Sequence, residues 1–232
     1  MAGTVALKAA TQVEEAAAIE VGVVGDGYVS RGAHKLLGAL EVFGAAGLVV
    51  AGRTALDAGA STGGFTQVLL AQGVERVLAV DVGYGQLAWS LRTDPRVIVL
   101  ERVNVRDLSS KLLGAEPELI VADLSFISLA LVIPALHNVA ATGADFVLMI
   151  KPQFEVGRAQ VGSGGVVRDP ALRVAAITKI ATAALVLGLG VKGVTASPLP
   201  GPAGNVEYFL WLTQGAPPLT DTAAVRAVEE GP

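Results

Sequence analysis

The chain contains no cysteine, and only two of its 232 residues are histidine, namely His34 and His137. The missing thiols exclude disulfide bonds, thiolate-bound metals and a cysteine nucleophile. Two histidines are too few for a typical histidine-based metal centre, so we expect no metal site. His137 falls in an apolar helical pattern, and we interpret it as a helix-surface or core residue.

Charged side chains are scarce, at 16% of the chain, and aromatic side chains make up only 5%. Apolar residues make up 52%, so most of the chain must pack in a core, and 232 residues are enough for one substantial domain. Seventeen basic and 21 acidic residues give a net charge of −4. Proteins that hold nucleic acid by bulk electrostatics are usually basic, so such a role requires a local basic patch or a separate module.

The sequence also lacks an uninterrupted apolar run long enough to span a membrane. The N-terminus has no basic segment followed by an apolar run, so we identify no signal peptide. Residues 118–136 are strongly apolar, but Glu118, Asp123, two serines and Pro134 interrupt them. A strand followed by a buried helix explains this stretch better than a membrane span does. We therefore expect a cytoplasmic protein with no membrane partner.

From residue 54 onward, short apolar runs alternate with helical patterns. We predict strands at 54–57, 76–80, 97–100, 118–122, 146–150, 190–196 and 205–212. We predict helices at 31–43, 64–72, 86–92, 128–140 and 170–187. The alternation predicts an α/β fold with a mostly parallel seven-stranded sheet, covered on both faces and ending in an antiparallel hairpin. The polar tail at 215–232 contains prolines and is expected to be flexible.

The stretch from Leu56 to Thr66 has the order strand, glycine loop, helix. Gly59 permits a tight turn, and Gly63 and Gly64 let the backbone approach a ligand closely. Such a loop presents backbone N–H groups to a nucleotide-like ligand. No lysine follows the glycines, which argues against an ATPase or GTPase, and the carboxylate of Asp57 suits a positively charged ligand. S-adenosylmethionine (SAM) satisfies both conditions; the alternative is a helix-capping turn of any α/β protein.

Polar residues close four of the predicted apolar strands, namely Asp57, Asp81, Asp123 and Lys151. In an open α/β sheet, ligands bind beyond the carboxyl ends of the strands. Packing alone does not explain a polar residue at each of these four strand ends. We therefore predict a binding site along this edge of the sheet.

Six motifs follow one another along residues 28–212: Ser30–Leu36, Leu56–Thr66, Ala79–Leu87, Ala122–Ser128, Ile150–Glu155 and Ser197–Phe209. Together they resemble the TlyA type of the FtsJ-like RNA ribose methyltransferases. The resemblance implies a Rossmann-like class I SAM-dependent methyltransferase, with SAM as cofactor. It also implies methylation of a cytidine ribose 2′-hydroxyl in ribosomal RNA, with a ribosomal subunit as partner. Members of the family have also been described as haemolysins.

The family's catalytic set of two lysines and two acids matches Lys35, Asp123, Lys151 and Glu207, each inside a matching motif. By this resemblance Lys151 is the base for the ribose hydroxyl, and the other three orient it and place charge. Lysines with an ordinary pKa near 10.4 are mostly protonated at neutral pH, and burial or a second cation lowers that pKa. Without the resemblance, Lys35 reads as a solvated helix residue and Glu207 as an edge-strand residue.

The loop pattern and the resemblance together assign the cofactor site to Asp57, Gly59, Ser61, Thr62, Gly63, Gly64, Phe65, Asp81, Asn104 and Asp123. Asp81 closes the second predicted strand, where an acid can accept hydrogen bonds from ribose hydroxyls. Gly59, Ser61 and Gly63 would line the methionine part of SAM. Asn104 is either an adenine contact or a residue that caps a loop.

The resemblance weakens at the N-terminus, where the family normally begins with an S4-type RNA-binding domain. We interpret residues 1–24 as a remnant of that domain, 25–30 as a linker and 31–214 as the methyltransferase domain. We expect a basic rim at the site, formed by Arg31, Lys35, Lys151, Arg158 and Arg168. With a net charge of −4, this rim should position a nucleotide without holding ribosomal RNA tightly. His34 is interpreted as structural or as facing RNA.

Three other functions remain open. A small-molecule methyltransferase would share the glycine loop but would not need two lysines and two acids. A non-enzymatic protein that binds RNA or the ribosome would have no affinity for SAM. A haemolysin that forms pores would need a long amphipathic or apolar segment, and none stands out. The motifs specify neither the modified nucleotide, nor the ribosomal subunit, nor an oligomeric state.

Overall fold

Seven strands form a mixed sheet in the computed structural model, which describes residues 27–232. They are β1 (Thr54–Ala58), β2 (Arg76–Asp81), β3 (Val97–Glu101), β4 (Leu119–Ala122), β5 (Asp145–Ile150), β6 (Leu189–Ala196) and β7 (Tyr208–Gln214). Their order is β3-β2-β1-β4-β5-β7-β6. The first five run parallel, and β7 is antiparallel to both β5 and β6. The predicted α/β sheet with an antiparallel terminal hairpin is confirmed.

Eight α-helices connect and cover these strands within residues 27–232. They are α1 (Gly32–Ala45), α2 (Gly64–Ala71), α3 (Trp89–Arg92), α4 (Ser110–Leu113), α5 (Ile133–Val139), α6 (Pro152–Glu155), α7 (Pro170–Leu185) and α8 (Asp221–Glu229). Short 3-10 turns lie at Val105–Asp107, Leu129–Leu131, Arg158–Gln160 and Ser163–Gly165. The predicted remnant at residues 1–24 lies outside the described residues.

Alternate residues of the central strands feed two cores on opposite faces of the sheet. Ala55 and Val147 pack on the face that α1, α2 and α3 cover. Leu56 and Phe146 pack on the other face, under α5, α7 and α8. Since side chains along a strand alternate between faces, such strands read as unbroken apolar runs. This double burial explains why the parallel strands were predictable from the sequence.

Two predicted helices are shorter than expected. The helix predicted at 86–92 begins only at Trp89, because the backbone N–H of Ala88 donates to the carbonyl of Thr62, which lies in the glycine loop. The helix predicted at 128–140 divides into a 3-10 turn and α5. Pro134 lies in the first turn of α5, where its missing N–H leaves no helix bond unmade.

The strand predicted at 205–212 begins later, at Tyr208, so Glu207 precedes β7 instead of lying within it. The carbonyl of Glu207 still accepts a hydrogen bond of 2.8 Å from the backbone N–H of Ser197, just after β6. The backbone of Glu207 is therefore tied to the chain that leaves β6, while its side chain lies at the end of the sheet.

The tail at 215–232 was expected to be flexible, and the structure shows a packed helix within it. Val191 in β6 donates a backbone hydrogen bond of 2.7 Å to Pro217, so the tail runs along the edge of the sheet. The side chain of Thr220 then caps α8 by accepting from the N–H of Ala223. Ala224 and Ala227 are buried in the core that α7 and β6 share. This helix was not predicted, because the buried face of α8 consists mostly of small residues in a polar segment.

Candidate active site

The carboxyl ends of β1 and β4 meet where the strand order reverses, which is where open α/β sheets bind ligands. A cleft of about 310 Å³ opens there. It is lined by Ser30, Arg31, Gly32, Lys35, Gly59, Ala60, Ser61, Thr62, Gly64, Phe65, Asp123, Pro200 and Pro202. The cleft thus combines the start of α1, the glycine loop, the end of β4 and the loop before β7.

Lys35 and Glu207 form one ion pair of the site. The Nζ atom of Lys35 donates to Oε2 of Glu207 at 2.5 Å, and the two side chains are 9% and 1% exposed. Lys35 lies on the face of α1 that also buries Leu36 and Ala39, so its aliphatic stem packs in the core. Loss of hydration on burial opposes the formation of such a pair. Removal of one partner leaves the other charge buried without a counter-charge. The structure therefore holds both groups in a fixed position at the cleft.

Lys151 and Asp123 form the second ion pair. Their Nζ and Oδ1 atoms are 2.6 Å apart, and Nζ of Lys151 also donates to Oγ of Ser125 at 2.9 Å. Asp123 follows β4 and Lys151 follows β5, and these parallel strands are neighbours. Pro152 begins α6 and holds Lys151 in an extended conformation, as a proline does for the residue before it. The four residues named by the resemblance are thus brought to one end of the sheet as two pairs.

The glycines of the loop make room mainly for other parts of the protein. A Cβ on Gly59, whose φ is +88°, would lie 2.5 Å from the carbonyl oxygen of Asp123. A Cβ on Gly63, whose φ is +102°, would collide with Leu91, and one on Gly64 would collide with Ser30. We expected Gly63 and Gly64 to admit a ligand, but these sides of the two glycines are filled by protein. Gly63 does not line the cleft.

Asp57 lies beneath the glycine loop and is fully buried, so its carboxylate does not line the cleft. Its Oδ2 atom accepts a hydrogen bond of 2.7 Å from the hydroxyl of Thr66. Oδ1 has no hydrogen-bond partner within residues 27–232. Burial raises the pKa of Asp57 from its ordinary 3.8 to about 7, and the charges of Asp123 and Asp81 add to this effect. The buried carboxylate of Asp57 is therefore not placed to contact a ligand in the cleft directly.

Asp81 joins the glycine loop to the loop after β2. Its two carboxylate oxygens accept backbone hydrogen bonds, one from Ser61 at 2.8 Å and one from Gly83 at 2.6 Å. Ser61 has a positive φ of 49°, which a non-glycine residue adopts only where contacts hold it. Asp81 and Ser61 also line a small recess beside the cleft. A ligand that spans the recess and the cleft would pass Ser61.

Sequence reasoning missed Glu101, which lines the same recess. Glu101 ends β3 in register with Asp81 at the end of β2. Its Oε1 atom accepts from the backbone N–H of Gly85 at 2.8 Å and is also paired with the guanidinium of Arg92. The sequence did contain a signal for Glu101. This acid directly follows the strand predicted at 97–100, just as Asp81 follows the strand predicted at 76–80.

Asn104 caps a 3-10 turn in the structure. Its Oδ1 atom accepts from the backbone N–H of Arg106 at 3.0 Å, and it lines neither the cleft nor the recess. Of the two roles considered for this residue, loop capping is the one present here.

Phe126 is a second residue that sequence reasoning missed as a separate candidate. It is 91% exposed, has a positive φ of 65°, and its ring lies 5.2 Å from that of Phe154. It lies in the motif that carries Asp123 and Ser125, directly after the serine bound by Lys151. An exposed aromatic ring therefore stands beside the second ion pair.

The basic rim is smaller than expected. The side chains of Lys35 and Lys151 are 9% and 10% exposed and are both paired with acids, so they add little positive charge to the surface. Arg31, Arg158 and Arg168 are exposed, and Arg31 alone of these lines the cleft.

The family model for FtsJ-like methyltransferases matches residues 28–214. Over 236 aligned residues the chain is 57% identical to the 16S/23S rRNA (cytidine-2′-O)-methyltransferase TlyA of Mycobacterium tuberculosis, covering 99% of this chain and 87% of that protein. The crystal structure of a hemolysin candidate from Lactococcus lactis superposes with a TM-score of 0.81 at 41% identity, covering 88% of this chain and 99% of that chain.

A more distant structure agrees in fold. The N-methyltransferase NodS of Bradyrhizobium japonicum superposes with a TM-score of 0.54 at 14% identity, covering 77% of this chain and 96% of that chain. The mixed sheet, the cleft at its carboxyl edge and the family match over most of the chain agree with one another. The chain belongs to the FtsJ-like methyltransferases.

Proposed function

We propose that this protein transfers a methyl group from SAM to the ribose 2′-hydroxyl of a cytidine in ribosomal RNA. The observation that carries the proposal is the presence of two buried lysine–acid pairs beside one cleft, Lys35–Glu207 and Lys151–Asp123. The 57% identity to a ribosomal RNA cytidine-2′-O-methyltransferase supports the same reaction. Such an enzyme would work in the cytoplasm, where ribosomal RNA is available. Within residues 27–232 no helix is long and apolar enough to cross a membrane.

The residues around the cleft fit SAM, which supplies an electrophilic methyl group when bound. Ser61 and Thr62 would border the methionine part, and the buried Asp57 would support the glycine loop from beneath through its bond to Thr66. Asp81 and Glu101 would face the ribose hydroxyls from the recess. Carboxylates that already accept one bond per oxygen can accept more, since each oxygen has two lone pairs. In this arrangement, Asn104 would support the adenine side only indirectly.

Lys151 is the proposed proton acceptor. A ribose hydroxyl is a weak nucleophile, so a base must take its proton as the oxygen attacks the methyl group. Once Lys151 has released its own proton to water, it accepts the proton of the 2′-hydroxyl and becomes an ammonium group again, held by Asp123 at 2.6 Å. Lys35 remains paired with Glu207, and its positive charge stabilises the oxygen as negative charge develops on it. The chain thus contributes orientation and charge placement.

An RNA substrate is favoured over a small molecule by Phe126. Proteins that bind unpaired RNA stack bases on aromatic rings, and the ring of Phe126 is 91% exposed beside Ser125 and Lys151. Because the net charge is −4 and Lys35 and Lys151 are neutralised by acids, phosphate contacts must be few. We therefore expect RNA binding by these residues to be weak and to decrease with added salt.

Transfer of labelled methyl groups from SAM tests the proposal. Ribosomal subunits and free ribosomal RNA serve as acceptors, with a mixture of small hydroxyl compounds as a separate arm. Labelled RNA should then resist alkaline cleavage at the modified nucleotide, because a 2′-O-methyl group removes the hydroxyl that attacks the phosphate. Transfer only to the small compounds would support the alternative, a small-molecule methyltransferase. Absence of SAM binding would overturn the proposal altogether.

A further inference from the structure

Glu155 is a buried acid that none of the proposed steps uses. Its side chain is only 1% exposed. The Oε1 atom accepts from the backbone N–H of Leu129 at 2.8 Å, and Oε2 accepts from the hydroxyl of Ser128 at 2.5 Å. Lys179 of α7 reaches Oε2 at 3.2 Å and donates to the backbone carbonyl of Glu155 at 2.7 Å. The carboxylate thus has donors from two different parts of the chain.

These contacts join the two segments that carry the second ion pair. Glu155 ends α6, the short helix that begins directly after Lys151. Ser128 and Leu129 end the loop that begins at Asp123. The near end of that loop is fastened to Lys151 through Asp123, and the far end is fastened to α6 by Glu155. The position of Asp123 relative to Lys151 therefore depends on both attachments.

The middle of this loop requires such support. Phe126 has a φ of 65°, in the left-handed region that residues other than glycine rarely adopt. Its ring touches Phe154 of α6 but is otherwise in solvent, with 91% exposure. A conformation of this kind persists only where surrounding contacts hold it, and the hydrogen bond from Leu129 to Glu155 is a buried contact at the end of the loop.

We propose that Glu155 is a positioning residue for methyl transfer: it clamps the loop from Asp123 to Leu129 against α6 so that Asp123 and Ser125 hold the Lys151 amine in place. Lys179 completes the clamp by balancing the charge of the buried carboxylate. The inference rests on the proposed function, since it requires Lys151 to act on the substrate. Because a displacement of about 1 Å at a reacting group can lower a rate roughly 100-fold, a clamp outside the cleft can control the rate.

Replacement of the acid by its amide tests the clamp. Glu155→Gln keeps the size of the side chain but removes the charge that pairs with Lys179 and weakens the hold on Ser128. We expect kcat to fall about tenfold or more, while KM for RNA and Kd for SAM change by less than about twofold. Glu155→Asp keeps the charge but is too short to span from α6 to the loop, so it should not restore kcat. Lys179→Gln should lower kcat in the same direction by a smaller factor.

The matched control is Asp145, a buried acid at the opposite end of β5, 8% exposed. Asp145 accepts from Arg53 at 2.6 Å and from the indole N–H of Trp211 at 2.7 Å, so it resembles Glu155 in being a buried carboxylate held by a cation and by a neutral donor. Asp145→Asn should lower the unfolding midpoint without changing kcat. All variants are assayed well below their own unfolding midpoints, so that a loss of folded protein does not mimic a loss of rate.

The outcomes separate the two proposals. If the wild-type protein transfers no methyl group to RNA, the proposed function fails. If the wild type is active and Glu155→Gln behaves like Asp145→Asn, with unchanged kcat, the clamp is refuted and the function stands. A fall in SAM affinity that accounts for the whole loss of rate would also refute it. Should Glu155→Gln not fold, Lys179→Gln and Ser128→Ala decide: unchanged kcat in both refutes the clamp, and reduced kcat with unchanged KM supports it.

Discussion

The two lysine–acid pairs of the site differ in their access to solvent. In the Lys35–Glu207 pair the side chains are 9% and 1% exposed, so the carboxylate has almost no access to solvent. In the Lys151–Asp123 pair the lysine is 10% exposed, but the carboxylate is 23% exposed. Lys151 also donates to the exposed Ser125, whereas the only polar side chain that Lys35 donates to is Glu207 among the contacts of residues 27–232.

This difference separates a fixed charge from a group that can exchange protons. A closed pair resists any change in charge, because each partner would be left buried and unpaired. A pair with an open side can admit a substrate hydroxyl and can return a proton to water after each turnover. The comparison therefore supports Lys151 as the proposed base and Lys35 as a fixed positive charge.

The largest effect should come from the open pair. Lys151→Ala removes the proposed base, and we expect the transfer rate to fall by roughly 10²–10⁴-fold, the usual contribution of general base catalysis. SAM affinity should stay within a few fold, since the base acts on the RNA hydroxyl and not on the cofactor. Single-turnover methyl transfer and calorimetry with SAM measure the two quantities.

Arginine at the same position distinguishes a base from a simple positive charge. Lys151→Arg keeps the charge but cannot release its proton at these pH values, so it should not restore activity. Lys111→Ala, a change at an exposed lysine of α4, serves as the control and should leave the rate unaltered. Substantial activity in the arginine variant would transfer the role of base to Lys35 and reverse the comparison.

The closed pair should dominate stability. Glu207→Gln leaves the Lys35 cation buried without a counter-charge, which typically costs about 3–5 kcal/mol in the free energy of unfolding. Asp123→Asn should cost less, since Asp123 is partly hydrated. Denaturant unfolding measures the loss in free energy of unfolding for both variants. Equal losses would show that the two pairs do not differ in their contribution to stability.

A double replacement tests whether the Lys35–Glu207 pair contributes to stability alone or also to methyl transfer. Lys35→Met combined with Glu207→Leu removes both charges and keeps similar volumes, so much of the lost stability should return. The proposed fixed charge would still be absent, and methyl transfer should remain low. Recovery of both stability and activity would mean that the Lys35 charge takes no part in the reaction.

Much of the fold was predictable because its strands are buried on both faces. Leu119–Ala122, for example, is entirely apolar and entirely buried, and an acid follows it at the sheet edge. Helix α8 was not predictable in this way. Its buried residues, Ala224, Ala227 and Val228, form a narrow face between polar side chains. This face is buried because it packs against the neighbouring α7 and β6, and the local sequence does not indicate those contacts.

The site was predictable as a set of residues but not as an arrangement. The matching motifs identified Lys35 and Glu207, which are 172 positions apart in sequence. Their pairing and their burial depend on how α1 packs against β7. No local sequence pattern predicts this packing. Glycine is a similar case: sequence indicates that Gly64 needs space, but not that Ser30 fills it. Glu155 was visible in a motif, yet its clamp depends on a loop that lies 26 positions away.

Asp57 extends the comparison to a buried acid with no lysine beside it. Burial raises its pKa from 3.8 to about 7. In the unfolded chain the carboxyl loses its proton near pH 4, whereas the folded protein keeps it to about pH 7. Between these values the folded state binds more protons than the unfolded state, so the contribution of Asp57 to the free energy of unfolding falls as pH rises, by at most about 4 kcal/mol.

Asp57→Asn cannot titrate and should remove this decline. The stability of the variant minus that of the wild type should therefore increase between about pH 4 and pH 7, and stay constant above that window. Denaturant unfolding at several pH values measures it, with the exposed Asp107→Asn as control. A parallel pH profile in wild type and Asp57→Asn would mean that the buried carboxyl ionises normally.

Asp81 represents the third kind of acid, one held by backbone N–H groups instead of a lysine. Its bonds from Ser61 at 2.8 Å and Gly83 at 2.6 Å leave each oxygen a further lone pair for a ribose hydroxyl. Loss of a charge-assisted hydrogen bond costs about 1.5–3 kcal/mol, so Asp81→Ala should weaken SAM binding by roughly 10–150-fold. Calorimetry with Glu116→Ala, a change at an exposed acid, provides the reference. Because this acid is proposed to contact the cofactor and not the RNA hydroxyl, saturating SAM should restore most of the transfer rate, unlike in Lys151→Ala. Unchanged SAM affinity would exclude Asp81 from the cofactor site and leave Glu101 as the acid that faces the ribose.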